Sequence, residues 1–180
     1  KNQWSGSGYL PSFPATCPYV TAVGGTMGLE SGYAEVAVQS DSCYSGGSSS
    51  SGGVVTSGGG FSSFFEQPDW QAEAVQAYFD LAPAPSAGFN RYGRAIPDIS
   101  ALAVRYAVEV GGKTFHLYGT SASAPVLAGF VTVVNGVRAH NNMSSIGWLN
   151  KALYSAGKNS SAQLFNDITA GSNFCCSSNY

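Results

Sequence analysis

The order of apolar segments along the chain predicts an α/β fold with a largely parallel sheet flanked by helices. Short β-branched runs, such as residues 19–23, alternate with longer stretches that carry apolar residues at helical spacing, such as residues 68–81. A further stretch, residues 124–138, is apolar nearly all round, which indicates a helix at the centre of the fold. Strands that alternate with helices are typical of a parallel sheet with covered faces.

The strands are predicted from short apolar or alternating runs. Residues 19–23 read as a buried strand that ends in a turn at Gly24-Gly25. Residues 33–39 alternate between apolar and polar side chains, which predicts a strand with one solvent-exposed face. Residues 106–110 and 114–118 flank a glycine pair, and this arrangement predicts a β-hairpin.

Three segments are predicted to be helical. In residues 68–81 the proline at the first position suits the start of a helix. Residues 124–138 carry no charged side chain until Arg138. Residues 145–156 suggest a third helix, whereas residues 43–53 are almost entirely Ser and Gly and predict a flexible surface loop.

Composition limits the classes of function. The chain has 180 residues, one domain's worth, and its 8 basic and 10 acidic residues leave a formal charge of −2. This charge offers no basic surface for nucleic acid or for an anionic membrane. No apolar run approaches the roughly 20 residues of a membrane span. Charged residues make up 10% of the chain, against about 25% in a typical domain. Such a surface changes little in charge at low pH and suits an acidic, extracellular or lysosome-like compartment.

Cysteines and glycosylation sequons favour a secreted protein. The chain has four cysteines, namely Cys17, Cys43, Cys175 and Cys176. The first two could close a disulfide loop, whereas the adjacent pair cannot easily bond to each other and would bond to other cysteines. Asn142 and Asn159 each begin an N-glycosylation sequon.

A serine-rich segment, residues 119–125 (GTSASAP), precedes the long apolar stretch and is the strongest local signal of chemistry. A nucleophilic serine needs a fixed hydroxyl, a nearby base and hydrogen-bond donors for the developing oxyanion. Ser121 at the start of a buried helix would have a rigid support and free N–H groups. The alternative is that Thr120, Ser121 or Ser123 only caps the helix.

Four blocks of the chain together resemble the sedolisin family of serine-carboxyl peptidases, in order and in approximate spacing. The blocks are FPA at 13–15 with YVTAVGGT at 19–26, SGGGFS at 57–62 with WQ at 70–71, GRAIPDISA at 93–101, and GTSASAP at 119–125. FNDIT at 165–169 and Gly171 extend the resemblance. Within the family, the chain most resembles tripeptidyl-peptidases and acid endopeptidases. The resemblance implies a subtilisin-like fold, peptide-bond hydrolysis at acid pH, and Ser121 as the nucleophile.

The resemblance also implies catalytic groups that these residues do not contain. The family uses a Glu base backed by an Asp, and a further Asp as oxyanion donor; their blocks lie upstream of the stretch that begins at Phe13. Residues 1–180 are therefore interpreted as the C-terminal portion of a catalytic domain, as a processed light chain or as a partial chain, with a second chain carrying the N-terminal half. Asp98 matches a position that looks structural, and His116 and His140 match no catalytic block.

The remaining site residues are assigned in the same way. Ser57, Gly58 and Gly59 would lie near the substrate cleft, where a glycine-rich strand end can pair with an extended peptide, unless this loop serves only packing. Gly119 and Thr120, beside the nucleophile, complete the substrate-binding set. The resemblance further implies a structural calcium ion.

Asp167 and the backbone carbonyl of Ile168 match the first part of the family's calcium site. A calcium ion takes six or more oxygen ligands, so two residues leave the site incomplete.

Two alternatives to an acid peptidase remain open from the sequence. The chain could be an inert binding or structural subunit that retains the fold, because the carboxylate pair is absent. It could also be a neutral subtilisin relative with a histidine base, although neither histidine lies in a matching block.

Overall fold

The computed structural model describes residues 11–39, 55–81 and 87–171, apart from the side chains of residues 159–163. In chain order, the elements are β1 (Val23–Met27), β2 (Val36–Ala37), β3 (Gly60–Glu66), α1 (Ala72–Leu81), β4 (Gly93–Ile96), β5 (Ile99–Leu102), β6 (Tyr106–Val110), β7 (Lys113–Leu117), α2 (Thr120–His140) and α3 (Asn150–Leu164). The described residues form two compact units. The first contains residues 11–22, 59–81, 87–99 and 148–166, and the second contains residues 23–39, 55–58, 100–147 and 167–171.

The first unit combines the antiparallel pair β3–β4 with helices α1 and α3. Pro68 is extended and leads into a 3-10 turn, Asp69–Gln71, from which α1 continues. Aromatic side chains pack around β3: the ring of Phe61 lies 5.2 Å from that of Phe79 and 5.1 Å from that of Phe89. The predicted helix over residues 68–81 is therefore present.

A buried ion pair lies at the centre of the first unit. The side chains of Arg94 and Asp98 are both inaccessible to solvent, and their Nη2 and Oδ2 atoms are 2.5 Å apart. The carboxylate also accepts hydrogen bonds from the Ala22 N–H, at 2.7 Å, and from the Tyr154 hydroxyl, at 3.0 Å. Asp98 is thus the buried structural acceptor that the sequence predicts, with its charge compensated and both of its oxygens bonded.

Gln71 and Asn150 extend this network to the neighbouring backbone. The Gln71 amide donates to the Ala95 carbonyl and accepts from the Ala95 N–H, each at 2.8 Å. The Asn150 amide donates to the Val20 carbonyl at 3.1 Å and accepts from the Thr21 hydroxyl at 2.6 Å. Both amide side chains are fully buried, so they tie the chain before β1 and strand β4 to helical residues.

The same environment acts on Tyr154. Burial raises the pKa of its phenol, and the negative charge of Asp98 raises it further, because both disfavour the phenolate. The hydroxyl therefore stays protonated and continues to donate to Asp98 well above neutral pH.

The second unit contains the sheet with strand order β2-β1-β5 and the separate hairpin β6–β7. Val38, Ala103 and Val104 form its buried core, against which Met27 and Leu102 pack. The hairpin joins its strands through Gly111 and Gly112, at φ of 59° and 74°, the left-handed conformations that a tight two-residue turn requires. The predicted hairpin is therefore confirmed.

Several predicted strand positions are wrong. Strand β1 begins where the predicted strand over residues 19–23 ends, so Gly24 and Gly25 lie inside a strand and not in a turn. Strand β2 has two residues, whereas residues 33–39 were predicted to be extended. Strand β3 was not predicted, because its Ser/Gly-rich beginning resembles a loop.

The sheets are small and mixed. The pairs β1–β2, β3–β4 and β6–β7 are antiparallel, while Ala37 and Gly171 form a parallel bridge. The expectation of a largely parallel sheet is therefore not confirmed by the described residues. Antiparallel strands can be joined by a short turn. The alternation of strands and helices along the sequence therefore does not exclude antiparallel pairs.

The two C-terminal helices differ in extent from their predictions. Helix α2 has 21 residues, starts four residues before the predicted position and includes Pro125. Helix α3 begins at Asn150 and not near residue 145.

Several predicted features fall outside the described residues: the loop at 43–53, the side chain of Asn159, and Cys43, Cys175 and Cys176.

Helix α2 does not have the buried position that its composition predicts. Ser123 is its buried residue, while most of its apolar side chains face solvent. The helix also has the length and composition of a membrane span, with a mean hydropathy of 1.3 over 18 residues, of which 6% are buried. The expectation that no apolar run approaches the length of a membrane span is therefore wrong. Length and composition alone are weak evidence for a span, since core helices of soluble proteins share them.

Replacing Asp98 tests the buried ion pair. Asp98→Ala leaves the Arg94 charge buried without compensation, and we expect it to lower the free energy of unfolding by about 3–5 kcal/mol. The matched control is Glu73→Ala, which breaks the ion pair between Glu73 and Lys158. The side chains of this pair are 69% and 61% exposed, respectively. That change should cost at most about 1 kcal/mol. Urea unfolding of the purified protein measures both, and equal losses for the two variants would contradict a central role for the pair.

Candidate active site around Ser121

The start of α2 is fixed by backbone hydrogen bonds. Gly119 precedes the helix at φ 144° and ψ 148°, a conformation that favours glycine. Its N–H donates to the Ala103 carbonyl, just after β5, at 2.7 Å, and its own carbonyl accepts from the Ala122 N–H at 2.9 Å. No side chain caps the helix at Gly119. The hydroxyl groups of Thr120, Ser121 and Ser123 therefore lie within the helix and do not form its N-cap.

The two serines of the first turn have different environments. Ser123 is fully buried and donates to the carbonyls of Leu102, at 2.8 Å, and Ala101, at 3.1 Å. Ser121 is exposed, and among the residues that the structure describes its hydroxyl has no hydrogen-bond partner. Ser121 is consequently the serine of this turn whose hydroxyl is accessible to a substrate.

Ser57 is a buried residue that is hydrogen-bonded to strand β1. Its side chain is 7% exposed, and its hydroxyl accepts a hydrogen bond from the Gly25 N–H at 3.0 Å. Its own N–H donates to the Val38 carbonyl at 3.0 Å. Ser57 therefore holds β1 in place, while Gly58 is exposed and Gly59 is half-buried.

Gly25 is the point of closest approach between the sheet and the first turn of α2. A Cβ atom at this position would lie 2.7 Å from the Ala103 Cβ, 2.8 Å from the Val38 Cγ1 and 3.0 Å from the Thr120 Cγ2. The first two distances are shorter than Cβ atoms adopt in proteins, so the Ala103 and Val38 side chains would clash with it. A glycine is therefore needed for the sheet to pack against Thr120, next to the serine of interest. Sequence reasoning placed Gly25 in a turn, although a glycine within a strand pattern is also a signal of close backbone approach.

No carboxylate or imidazole of the described residues is hydrogen-bonded to the Ser121 hydroxyl. These residues also hold no group of three or more His, Cys, Asp or Glu side chains suited to a metal ion. His140 is the last residue of α2, about 28 Å from Ser121 along the helix axis at 1.5 Å per residue. His116 lies on the exposed strand β7.

The calcium residues of the prediction do not form a site by themselves. Asp167 is exposed and Ile168 is half-buried, in the segment that leads to the Ala37–Gly171 bridge. One carboxylate and one carbonyl fall short of the six to eight oxygens that calcium takes. The described residues alone therefore do not fit a bound calcium ion.

Comparison with known proteins identifies relatives that span most of this chain. The chain is 39% identical over 177 residues to the tripeptidyl-peptidase SED1 of Arthroderma otae and 37% identical over 179 residues to tripeptidyl-peptidase 1 of Bos taurus. These alignments cover 93% and 96% of this chain. A solved Pseudomonas sedolisin, a serine-carboxyl proteinase, matches with a TM-score of 0.63 and 27% identity over 89% of this chain. No family model matches.

Over the residues it spans, this chain belongs to the sedolisin family of serine-carboxyl peptidases. The structural match also shows the subtilisin-like α/β fold class. The chain spans about a quarter of the length of the curated relatives, 26% and 29%, and 39% of the solved sedolisin chain.

The structure brings some of the predicted sedolisin site residues together. Gly119, Thr120 and Ser121 form one turn, and Thr120 contacts the Gly25 position, to which Ser57 is hydrogen-bonded. The predicted substrate role of Ser57, Gly58 and Gly59 is not tested by these contacts and stays a prediction.

Substitution of Gly25 tests the packing that positions this turn. Gly25→Ala should lower the free energy of unfolding by about 1–3 kcal/mol, because its Cβ overlaps the Ala103 and Val38 side chains. Gly58→Ala is the matched control, since nothing lies within 4 Å of its added Cβ. Thermal unfolding of both variants measures the difference, and an undisturbed Gly25→Ala protein would refute the tight contact.

Proposed function

We propose that this chain supplies Ser121 as the nucleophile of an acid-acting serine-carboxyl peptidase. The observation that carries the proposal is the contrast within one helical turn: Ser121 is exposed, whereas the hydroxyl of Ser123 is bonded to strand carbonyls. A hydroxyl at a helix start, with free backbone N–H groups around it, suits attack on a carbonyl carbon. The sedolisin relationship supports the same assignment.

In this proposal the Ser121 Oγ attacks the carbonyl carbon of a scissile peptide bond. A carboxylate base takes the hydroxyl proton, and the peptide oxygen becomes an oxyanion. The proton then passes to the leaving amine, and water hydrolyses the acyl-enzyme in the same way. A carboxylate works best as a base near its own pKa, so the reaction is assigned to acid pH.

We propose that the Glu–Asp base pair and the oxyanion Asp come from sequence outside these 180 residues, either in the same polypeptide or in a second chain. The support is the lack of a base bonded to Ser121 among the described residues, together with the 39% coverage of the solved sedolisin chain. The substrate is a peptide or protein. Ser57, Gly58, Gly59, Gly119 and Thr120 are proposed to line its binding site.

Two further assignments extend the proposal. A structural calcium ion would take Asp167 and the Ile168 carbonyl as two of its ligands, with the remaining oxygens supplied from outside the described residues. A secreted or lysosome-like acidic location is supported by the low charge and by the exposed Asn142, which begins a sequon in the turn after α2.

Removing the Ser121 hydroxyl tests the nucleophile. In the complete protein that contains these residues, Ser121→Ala should lower kcat on a peptide substrate at acid pH by at least about 10³-fold. Circular dichroism and the unfolding midpoint should stay unchanged, because the hydroxyl is exposed.

Ser123→Ala is the matched control. It removes buried hydrogen bonds and should lower the free energy of unfolding by about 1 kcal/mol. It should lower turnover far less than Ser121→Ala does, because the Gly119–Ala103 hydrogen bond still holds the turn. Substantial turnover by Ser121→Ala would overturn the assignment. A complete, folded wild-type protein without turnover would instead favour an inert subunit that retains the fold.

A further inference from the structure

The chain leaves helix α2 through Asn142, a residue in the left-handed conformation. Its φ is 55°, and its N–H donates to the Ala139 carbonyl at 3.0 Å. The N–H of the next residue, Met143, donates to the Arg138 carbonyl at 2.9 Å. These two hydrogen bonds form a Schellman motif, in which the left-handed position is usually glycine and sometimes asparagine. The end of the helix therefore uses the backbone of Asn142 and not its side-chain amide.

Two adjacent asparagines at this helix end have different side-chain environments. The Asn141 amide donates to the Val137 carbonyl at 2.8 Å, so it satisfies one of the last carbonyls of the helix. Asn142 is exposed, and within the described part of the chain its amide has no hydrogen-bond partner. Of the two amides, that of Asn142 is therefore the one that a modifying enzyme can reach.

Ser144 completes a three-residue pattern with this free amide. Asn142, Met143 and Ser144 form an N-glycosylation sequon, with a residue other than proline in the middle. The Ser144 carbonyl accepts a hydrogen bond from the Arg138 Nε at 2.7 Å. Its hydroxyl is exposed and has no partner among the residues that the structure describes. The end of α2 thus needs the Ser144 backbone alone and does not account for a hydroxyl at this position.

The segment that carries the sequon is held on the surface at the C-terminal end of α2. The Ile146 N–H donates to the Asn135 side-chain oxygen at 2.8 Å, and every residue from 139 to 147 is exposed. Ser121 lies in the first turn of the same helix, whose 21 residues span about 30 Å. A modification of Asn142 is therefore too distant to obstruct a substrate at Ser121.

We propose that Asn142 carries an N-linked glycan in the complete protein. The donor is a lipid-linked oligosaccharide diphosphate. The Asn142 Nδ2 forms a bond to the anomeric carbon of the sugar, the bond from this carbon to the diphosphate oxygen breaks, and the lipid diphosphate leaves while the amide loses a proton. This inference rests on the proposed secreted or lysosome-like location, because a chain meets this donor in the secretory pathway.

The proposal also makes a statement about the surface around Asn142. An N-linked glycan is bulky and solvated. The C-terminal end of α2 must therefore stay uncovered in the complete protein, whatever sequence outside these residues packs elsewhere. The glycan would mark this end of the helix as part of the outer surface.

Site-specific release of the glycan tests the proposal. The complete protein that contains these residues is purified from eukaryotic cells that express it through the secretory pathway. The probe is peptide N-glycosidase F, which removes an N-linked glycan and converts the asparagine that carried it to aspartate. Mass mapping of the peptide around residue 142 reads this conversion directly. We expect it in most of the molecules, together with the loss of one glycan mass.

Two variants separate the glycan from the helix end. Asn142→Gly removes the acceptor and keeps the left-handed position, which glycine adopts without steric cost. Ser144→Ala removes the sequon hydroxyl and keeps the backbone hydrogen bonds of the segment. Both variants should lose the mass of one glycan. Ser144→Thr is the matched control, because it preserves the sequon and should keep the glycan.

An unconverted asparagine at position 142 in the wild-type protein would overturn the proposal. So would a glycan mass that is unchanged in Asn142→Gly, or conversion at position 142 that persists in Ser144→Ala. Conversion that disappears in Ser144→Ala and persists in Ser144→Thr supports it.

The glycan and the proposed peptidase activity can fail separately. If residue 142 is converted while Ser121→Ala keeps its turnover, the nucleophile is wrong and the glycan stands. If the wild-type protein hydrolyses its peptide substrate and the asparagine at 142 is unmodified, the glycan is wrong and the activity stands.

Discussion

The position of Ser121 depends on how the first turn of α2 is bound to the end of β5. Gly119 donates to the Ala103 carbonyl, and Ser123 donates to the carbonyls of Leu102 and Ala101. Gly25 brings the neighbouring strand into contact with Thr120, because no Cβ intervenes. These contacts fix the turn from two sides and leave the Ser121 hydroxyl exposed. A reactive group held on a rigid element needs little reorganisation when a substrate arrives.

The first unit has a different centre, the buried pair of Arg94 and Asp98. The pair is compensated by backbone and side-chain groups that come from distant parts of the sequence, and Tyr154 is 56 residues from Asp98. A buried charge that lost one of its partners would be costly, so the network requires all of its members together. This geometry gives Asp98 a structural role, so the network contributes no acidic group to catalysis.

The sequence predicts elements whose signals are local. Helix α1 follows from Pro68 and the spacing of the apolar residues after it, and the hairpin β6–β7 follows from Gly111-Gly112. The position of β1 was missed because Gly24-Gly25 is a turn signal locally, whereas close packing against Ala103 decides its structure. Ser121 was predicted as the nucleophile from residues 119–125 and the family resemblance, and this assignment stays a prediction. None of the described acidic residues is hydrogen-bonded to its hydroxyl. Helix α2 was expected to be buried because of its apolar composition, whereas most of its apolar side chains are exposed.

The most direct test of the account is covalent labelling of the complete, folded protein at acid pH with a fluorophosphonate probe, followed by mass mapping of the modified residue. The account predicts a single adduct on Ser121 that forms in the folded protein and does not form when the protein is denatured before labelling, because only the folded site activates this hydroxyl. An adduct on Ser123 or Ser57, or no adduct on a folded and complete protein, would contradict it.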